Sequence, residues 1–269
     1  MDAICSAVVQ KGCRLWIDAE QQVFQDSIDD LALRLMYKYN SSEKSYIYNT
    51  YQAYLKSTPE RLSRHLRLAA REHWCFGLKL VRGAYIASEP ERHQVIHSTK
   101  EGTDDCYDGI VESLLEGRYP VTLKGEEECP LPRLQLFLAT HNQSSIERAR
   151  AHQWSRLTGH GHAQALMIEY GQLQGMADEI SCQLLQSDQQ TLQNSRTVAG
   201  EAAATERMRL ENWVPSVYKC LCWGSLIECT HFLVRRAVEN QGALDRTRLA
   251  VVALRREIWR RAKGSFART

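Results

Sequence analysis

Three signatures are missing from this 269-residue chain. It has no run of about 18 apolar residues, so nothing in it reads as a transmembrane helix. Its nine cysteines, at positions 5, 13, 75, 106, 129, 182, 220, 222 and 229, include no C-x-x-C pair. Odd in number and scattered, they suit a reducing compartment. Cys220 and Cys222 alternate in what reads as a strand, and packing accounts for them better than a metal, because no further Cys or His stands at ligand spacing. No G-x-G-x-x-G follows any strand-like run, which weakens a Rossmann reading. Net charge is small as well: 34 basic against 32 acidic residues leave +2, so bulk electrostatics point to no nucleic-acid partner. The first residues have neither the basic and apolar regions of a signal peptide nor the Arg/Ser bias of a transit peptide.

What is present reads as a globular α/β protein. With 43% hydrophobic and 25% charged residues, the chain can build one large core. Asp2 to Lys11 reads as a helix closed by Gly12, a start that looks like the inside of a domain. Short apolar runs with strand character then recur at 14–17, 46–48, 76–81, 134–139, 165–168 and 216–221. Helical patterns lie between them. One opens at Thr58-Pro-Glu-Arg61, with Thr58 as cap, and another at Ser144-Ser-Ile-Glu147, with the spacing of a capping box. Strands alternating with helices imply a parallel sheet. Nearly every apolar run ends in functional side chains (Asp18 and Glu20, Gln52, Arg82 and Tyr85, Thr140 to Asn142, Glu169 and Gln172), which favours a (β/α)8 TIM-like barrel over an open sheet. Residues 186–211 are polar and weakly periodic, and read as a surface insertion with a helical turn near 201–208.

Three segments carry candidate chemistry. In Cys229 to Asn240, helical spacing puts Phe232, Arg235, Arg236 and Glu239 on one face and turns Leu233, Val234, Ala237 and Val238 to the core. Paired guanidiniums beside an aromatic can clamp a carboxylate, and they can equally be a solvated basic face answered by Glu239. In Leu78 to Ile86, Lys79 and Arg82 flank a strand end, Gly83 permits close backbone approach, and Tyr85 follows. That suits an anionic or electron-rich ligand, or a strand with two snorkelling cations. His141, within Thr140-His-Asn142, reads as a structural hydrogen-bonder as readily as a catalyst, since no Ser/His/Asp or Cys/His grouping surrounds it.

Taken in order, the chain resembles the proline dehydrogenase (proline oxidase) family, particularly its fungal members. The resemblance runs through Leu15 to Gln21, Tyr48 to Tyr54, Lys79 to Tyr85, Thr140 to Asn142, Gly171 to Asp178, Tyr218 to Gly224 and Phe232 to Asn240, nearly the whole chain. It implies a single unit over 1–269, a distorted barrel that binds FAD without a Rossmann motif and oxidises L-proline to 1-pyrroline-5-carboxylate. It also implies that hydride goes from the ring carbon next to nitrogen to flavin N5, and electrons onward to a quinone. By motif, Arg235 and Arg236 hold the substrate carboxylate, Tyr85 and Phe232 line the substrate pocket with Cys220, and Lys79 stands near flavin N5. Asp18 and Gln52 fall near the isoalloxazine. Val81, Arg82, Gly83, Ala84, Thr99, Lys100, Thr140, His141, Asn142, Gln172 and Glu239 take the remaining FAD-binding positions. Mitochondrial location, at the matrix side of the inner membrane, follows from the resemblance. The C-terminal helix around Leu249–Arg261 could touch lipid there, with Val251, Leu254 and Ile258 opposite a basic face.

Three departures bear on function. Cys220 stands where many relatives carry a Tyr near the ring position that bears the hydroxyl of hydroxyproline, which opens hydroxyproline as an alternative substrate. Phe232 replaces a Tyr. The family's earliest strands have no match here, so six strands are expected rather than eight, and a non-catalytic remnant is the rival reading.

Overall fold

The structure, a computed structural model, describes residues 1–125, 129–158, 166, 168–186, 216–239, 251–252, 254–256 and 258–260. Helix α1 (Asp2–Gln10) ends in Gly12 at φ +65°, where Gly12 N–H donates to Val9 and Cys13 N–H to Val8. This is a Schellman closure at the glycine predicted to cap it. The chain then alternates: β1 (Leu15–Ile17), α2 (Gln25–Tyr39), β2 (Ile47–Gln52), α3 (Thr58–Arg71), β3 (Phe76–Val81), α4 (Arg92–Val95), α5 (Lys100–Leu115) and β4 (Leu134–Ala139). It continues with α6 (Gln143–Thr158), β5 (Ile168–Leu173), a helix α7 at 178–186, β6 (Val217–Cys220) and α8 (Leu226–Glu239).

All six strands are parallel and lie in the order β1 to β6, so each pairs with its neighbours in sequence. The registers are Leu15 with Ile47, Asn49 with Leu78, Phe76 with Leu134, Leu136 with Ile168 and Tyr170 with Val217. Alternation along the strands makes two faces. Ile47, Tyr51, Leu78, Leu80, Leu136, Leu138, Ile168 and Tyr170 are buried in one core cluster with Leu62, Leu66, Ile110, Leu114, Ile146 and Ala149 of the helices. The other face curls on itself. Trp16 of β1 meets Tyr48 at 5.4 Å and reaches Phe137 of β4 at 5.1 Å, and Phe137 meets Tyr218 of β6 at 5.8 Å between ring centroids. Arg14, just before β1, pairs with Glu169 of β5 and donates to the Tyr218 hydroxyl at 2.7 Å, its guanidinium lying against the rings of Trp16, Tyr48 and Tyr218. The six-stranded sheet is therefore a curled half-barrel with helices on its outside, as the barrel expectation requires.

Several local readings need correction. The strand expected at 46–48 runs from Ile47 to Gln52, and the one expected at 165–168 runs from Ile168 to Leu173. Both continue through polar residues, and the side-chain hydrogen bonds of Asn49, Gln52, Glu169 and Gln172 lie inside the fold. β6 ends at Cys220, so Cys222 lies beyond it. Ser57, not Thr58, is at the N-cap of α3, and the Thr58 hydroxyl donates instead to Gln52 O at 2.6 Å. α6 begins at Gln143, and Asn142 Oδ1 accepts from Ser145 N–H, which takes the capping role assigned to Ser144. Leu233, Val234 and Ala237 are exposed rather than turned to the core. Among the described residues β6 is the last strand of the sheet. Described residues at 251–260 are helical, and Val251, Leu254 and Ile258 are exposed there. The insertion at 186–211 lies outside the described residues beyond its first position, the turn at 201–208 included. Among the described residues no helix is long and apolar enough to cross a membrane.

Burial of His65 on α3 sets a pH dependence. Its Nδ1 lies 2.6 Å from the Tyr51 hydroxyl, and burial pushes the imidazole down to about 4. The folded state thus holds the ring neutral while the unfolded chain protonates it near 6.5. Stability from this group is complete above that value and is lost as pH falls towards 4. Urea midpoints measured from pH 7 to pH 4.5 are expected to fall more steeply in the native chain than in His65→Gln.

Candidate active site

Because every strand is parallel, their carboxyl ends share one rim, and the predicted residues gather on it. Asp18 follows β1, Gln52 ends β2, Val81 ends β3 and is followed by Arg82 to Tyr85, Thr140 to Asn142 follow β4, and Cys220 ends β6. Lys79, on β3, pairs with Asp18, which follows β1; the Lys79 side chain is mostly buried and that of Asp18 is 70% exposed. The inner face thus ends in a cation whose counter-charge stands in solvent.

The turn after β3 is the tightest piece. Gly83 has φ +129°, and a Cβ built there would fall within the Tyr54 ring. Tyr54 cannot retreat, because its N–H donates to Arg82 O at 2.8 Å, its carbonyl accepts from His97 N–H at 2.9 Å, and it is fully buried. Ala84 is exposed and Tyr85 half-buried just beyond.

Arg82 points away from that rim. Its Nε donates to Asp104 at 2.6 Å, its two terminal nitrogens donate to the hydroxyls of Thr140 (2.9 Å) and Ser145 (2.8 Å), and its guanidinium lies over the Tyr107 ring. It clamps the ends of β3 and β4 to α5 and α6. Burial would raise the Asp104 carboxyl, but hydrogen bonds from Lys100 and Arg82 outweigh burial and hold it below the ordinary value.

Two helix N-termini open beside this clamp. Thr99 caps α5 by accepting from Gly102 N–H at 3.0 Å, with Lys100 following and paired to Asp104. Asn142 caps α6, and its own N–H donates to Thr140 Oγ1 at 3.1 Å. Backbone N–H groups at such ends favour anions. His141 Nε2 accepts from Leu173 N–H at 3.0 Å, which ties β4 to the end of β5 and matches its reading as a structural hydrogen-bonder. Gln172 is buried on the helix-facing side, accepting from Ser181 at 2.9 Å.

α8 carries the arginine pair. It is opened by a reciprocal cap that the sequence reading missed although Ser225-Leu-Ile-Glu228 has the spacing for it. Ser225 N–H donates to Glu228 Oε2 at 2.8 Å, and Glu228 N–H to Ser225 Oγ at 3.4 Å. Gly224, at φ +144°, makes the turn out of β6. Phe232 and Arg236 are half-buried on the same face, with the guanidinium 5.3 Å from the ring centroid, and Arg235 is exposed. The side chain of Glu239 lies outside the described residues. A second group escaped sequence reading altogether: Gln25, Asp29 and Asn49, buried behind Gln52 and joined by Arg61. The only sequence trace of it is the i, i+4 spacing of Gln25 and Asp29.

Comparison with known proteins places this arrangement. The family model for proline dehydrogenase matches residues 1–249. The chain is 32% identical over 270 residues to human "Proline dehydrogenase 1, mitochondrial", covering 98% of this chain and 38% of that protein. It is 32% identical over 256 residues to the rat "Hydroxyproline dehydrogenase", 94% and 49% respectively. It is 31% identical over 252 residues to the "Probable proline dehydrogenase, mitochondrial" of Schizosaccharomyces pombe, 91% and 46% respectively. The chain therefore spans half or less of these relatives' length. Among solved structures, it superposes on proline utilization A from Bdellovibrio bacteriovorus inactivated by N-propargylglycine with a TM-score of 0.61 at 19% identity, over 86% of this chain and 20% of that one. That likeness establishes the fold.

Proposed function

The chain belongs to the proline dehydrogenase family, and from that premise we propose that it forms the FAD-binding and substrate-binding part of an enzyme oxidising L-proline to 1-pyrroline-5-carboxylate. The observation that carries the reading is the shared rim: Lys79 and Asp18 on the inner face, Tyr85 beyond β3, and Arg235 and Arg236 on the helix that follows β6. The donor set fits FAD. A cation at the mouth of the curl suits an electron-rich ring system, and two capped helix N-termini with Lys100 beside them suit a pyrophosphate. When bound, FAD supplies the acceptor for the hydride leaving the ring carbon next to nitrogen.

The protein's own residues then position and polarise. Arg235 and Arg236 hold the carboxylate, with Phe232 as an apolar wall and Tyr85 and Cys220 lining the ring pocket. The Lys79 ammonium favours negative charge placed against it. Asp18, Gln52, Val81, Gly83 and Ala84 take the isoalloxazine side. Thr99, Lys100, Thr140, His141 and Asn142 take the phosphate and adenosine side, with Glu239 a further contact. Arg82 and Gln172 serve that side through the backbone they fix. A quinone takes the electrons onward. Relatives named as mitochondrial support that location, and the exposed Arg255, Arg256 and Arg260 support contact with an anionic membrane surface on the matrix side.

The test is the visible spectrum of the purified chain, before and after anaerobic L-proline. Flavin bands that bleach support the reading. Bands that persist point to another substrate, and no bands after added FAD defeat it. Hydroxyproline is the second reading, favoured by the small, exposed Cys220 and by a relative of that name. Cys220→Tyr is expected to lower activity on hydroxyproline relative to proline by roughly tenfold, the size of a modest steric discrimination, as steady-state kinetics on both substrates will show.

A further inference from the structure

Behind the end of β2 runs a line of buried polar side chains that reaches the proposed site at Gln52. Asp29 Oδ1 accepts from Gln25 Nε2 at 2.9 Å and from Asn49 Nδ2 at 2.8 Å, and its Oδ2 accepts from Arg61 at 3.1 Å. Arg61 also pairs with the exposed Asp26 at 3.1 Å. Gln25, Asp29, Asn49 and Gln52 are each at most 4% exposed.

In this line each orientation dictates the next. A carboxylate has acceptors only, so Gln25 must turn its NH2 to Asp29. Gln25 Oε1 then faces the other way, where Gln52 Nε2 donates to it at 3.3 Å. Gln52 Nε2 donates a second time, at 2.8 Å, to the backbone carbonyl of Glu20. Both protons of that NH2 are spent, and the remaining polar atom of the amide, Oε1, accepts no hydrogen bond among the described residues. Turning either glutamine over would set oxygen against oxygen in a buried place, where an unmet polar group is costly.

We propose that Asp29 is a positioning residue: acting through Gln25, it holds the Gln52 amide so that Oε1 is offered to an N–H donor of the ligand. The inference rests on the flavin reading, in which Gln52 lies beside the isoalloxazine. The edge of an oxidised isoalloxazine carries one such donor, the imide N–H of its pyrimidine ring. Gln52 is the contact, while Gln25 and Asp29 act on the ligand only by fixing it.

A double-mutant cycle separates this role from simple support of α2 and α3. Gln25→Leu, with Gln25→Asn as the gentler alternative should Leu unfold the chain, is made with Gln52 present and in a Gln52→Leu background. With Gln52 present, the FAD dissociation constant is expected to rise roughly three- to tenfold, the size of one neutral hydrogen bond. In Gln52→Leu the same change is expected to have no effect. An equal rise in both backgrounds would overturn the proposal. A second readout needs no flavin. In the apo-protein, hydrogen exchange of the Gln52 side-chain NH2, followed by 15N NMR, is expected to be slow, and to accelerate roughly tenfold or more in Gln25→Asn and in Asp29→Asn. Unchanged exchange would overturn the proposal as well. Accelerated exchange in a chain that takes up no FAD would sustain the positioning and defeat the flavin reading.

Discussion

Arg235→Ala and Arg236→Ala are each expected to lower kcat/KM for L-proline by roughly 10²- to 10³-fold while bound flavin is retained. The figure follows from removing one partner of a charge-assisted pair, which costs about 2–5 kcal/mol when the other partner is left desolvated. The loss should fall mainly on KM if the carboxylate is held equally in the ground and transition states. The two variants should differ in one respect. Arg235 is exposed, so its loss should leave the thermal midpoint unchanged. Arg236 is half-buried against Phe232, so its loss should cost some stability too. Lysine at either position keeps the charge and loses the planar fork, so it should restore only part of the activity. Proline kinetics like those of the native chain in both alanine variants would remove the arginine pair from the site.

Gly83→Ala is expected to be the most damaging single methyl in the described part of the chain. Two effects add. At φ +129° an L side chain is strained by about 1–3 kcal/mol. The new Cβ also meets the Tyr54 ring, which is fixed by backbone hydrogen bonds on both sides. Overpacking of that kind costs about 1–3 kcal/mol more. Gly109→Ala is the internal control, since it sits within α5 and an added Cβ would meet nothing within 4 Å beyond its chain neighbours and its own helix backbone. It is expected to stabilise by about 0.5–1 kcal/mol, the helix preference of alanine over glycine. Urea midpoints should therefore move in opposite directions for the same chemical change. Gly83→Ala should also release flavin, because the displaced turn is the one that carries Val81 to Tyr85.

These two sites differ in how far they could be read from sequence. The strand runs at Phe76 to Val81 and Leu134 to Ala139 were legible to the residue because apolar content and strand length coincide there. β2 was cut short because Asn49, Thr50 and Gln52 look like a strand's end, yet all its residues are buried. Polarity marks a strand's end only when water or a ligand must satisfy it, and here Asp29 answers Asn49 while Gln25 and a backbone carbonyl answer Gln52. β5 misled in the same way, since Glu169 is answered by Arg14 from the far side of the curl. A partner 155 residues away leaves no trace in a local window. For α8, spacing correctly grouped Phe232 with Arg236. It could not say which residues of the helix are buried, because that depends on neighbours rather than on the helix. The rim itself was legible, because parallel strands turn the ends of separate apolar runs into one place. The direction of Arg82 was not, since Asp104, Thr140 and Ser145 come from three later segments.

The sheet's spatial order repeats its order along the chain, and this has a consequence for synthesis. Each strand from β2 to β6 leaves the ribosome with one partner already made, so pairing can advance in one direction. The curl cannot form that way. It depends on Arg14 finding Glu169 and Tyr218, and on Trp16 finding Phe137, contacts between β1 and its flank and strands far later in sequence. Until β5 and β6 emerge, Arg14 lacks Glu169 and Tyr218, and Phe137 lacks Tyr218. Closing that face is expected to be a late step of folding, because its contacts join residues far apart in sequence.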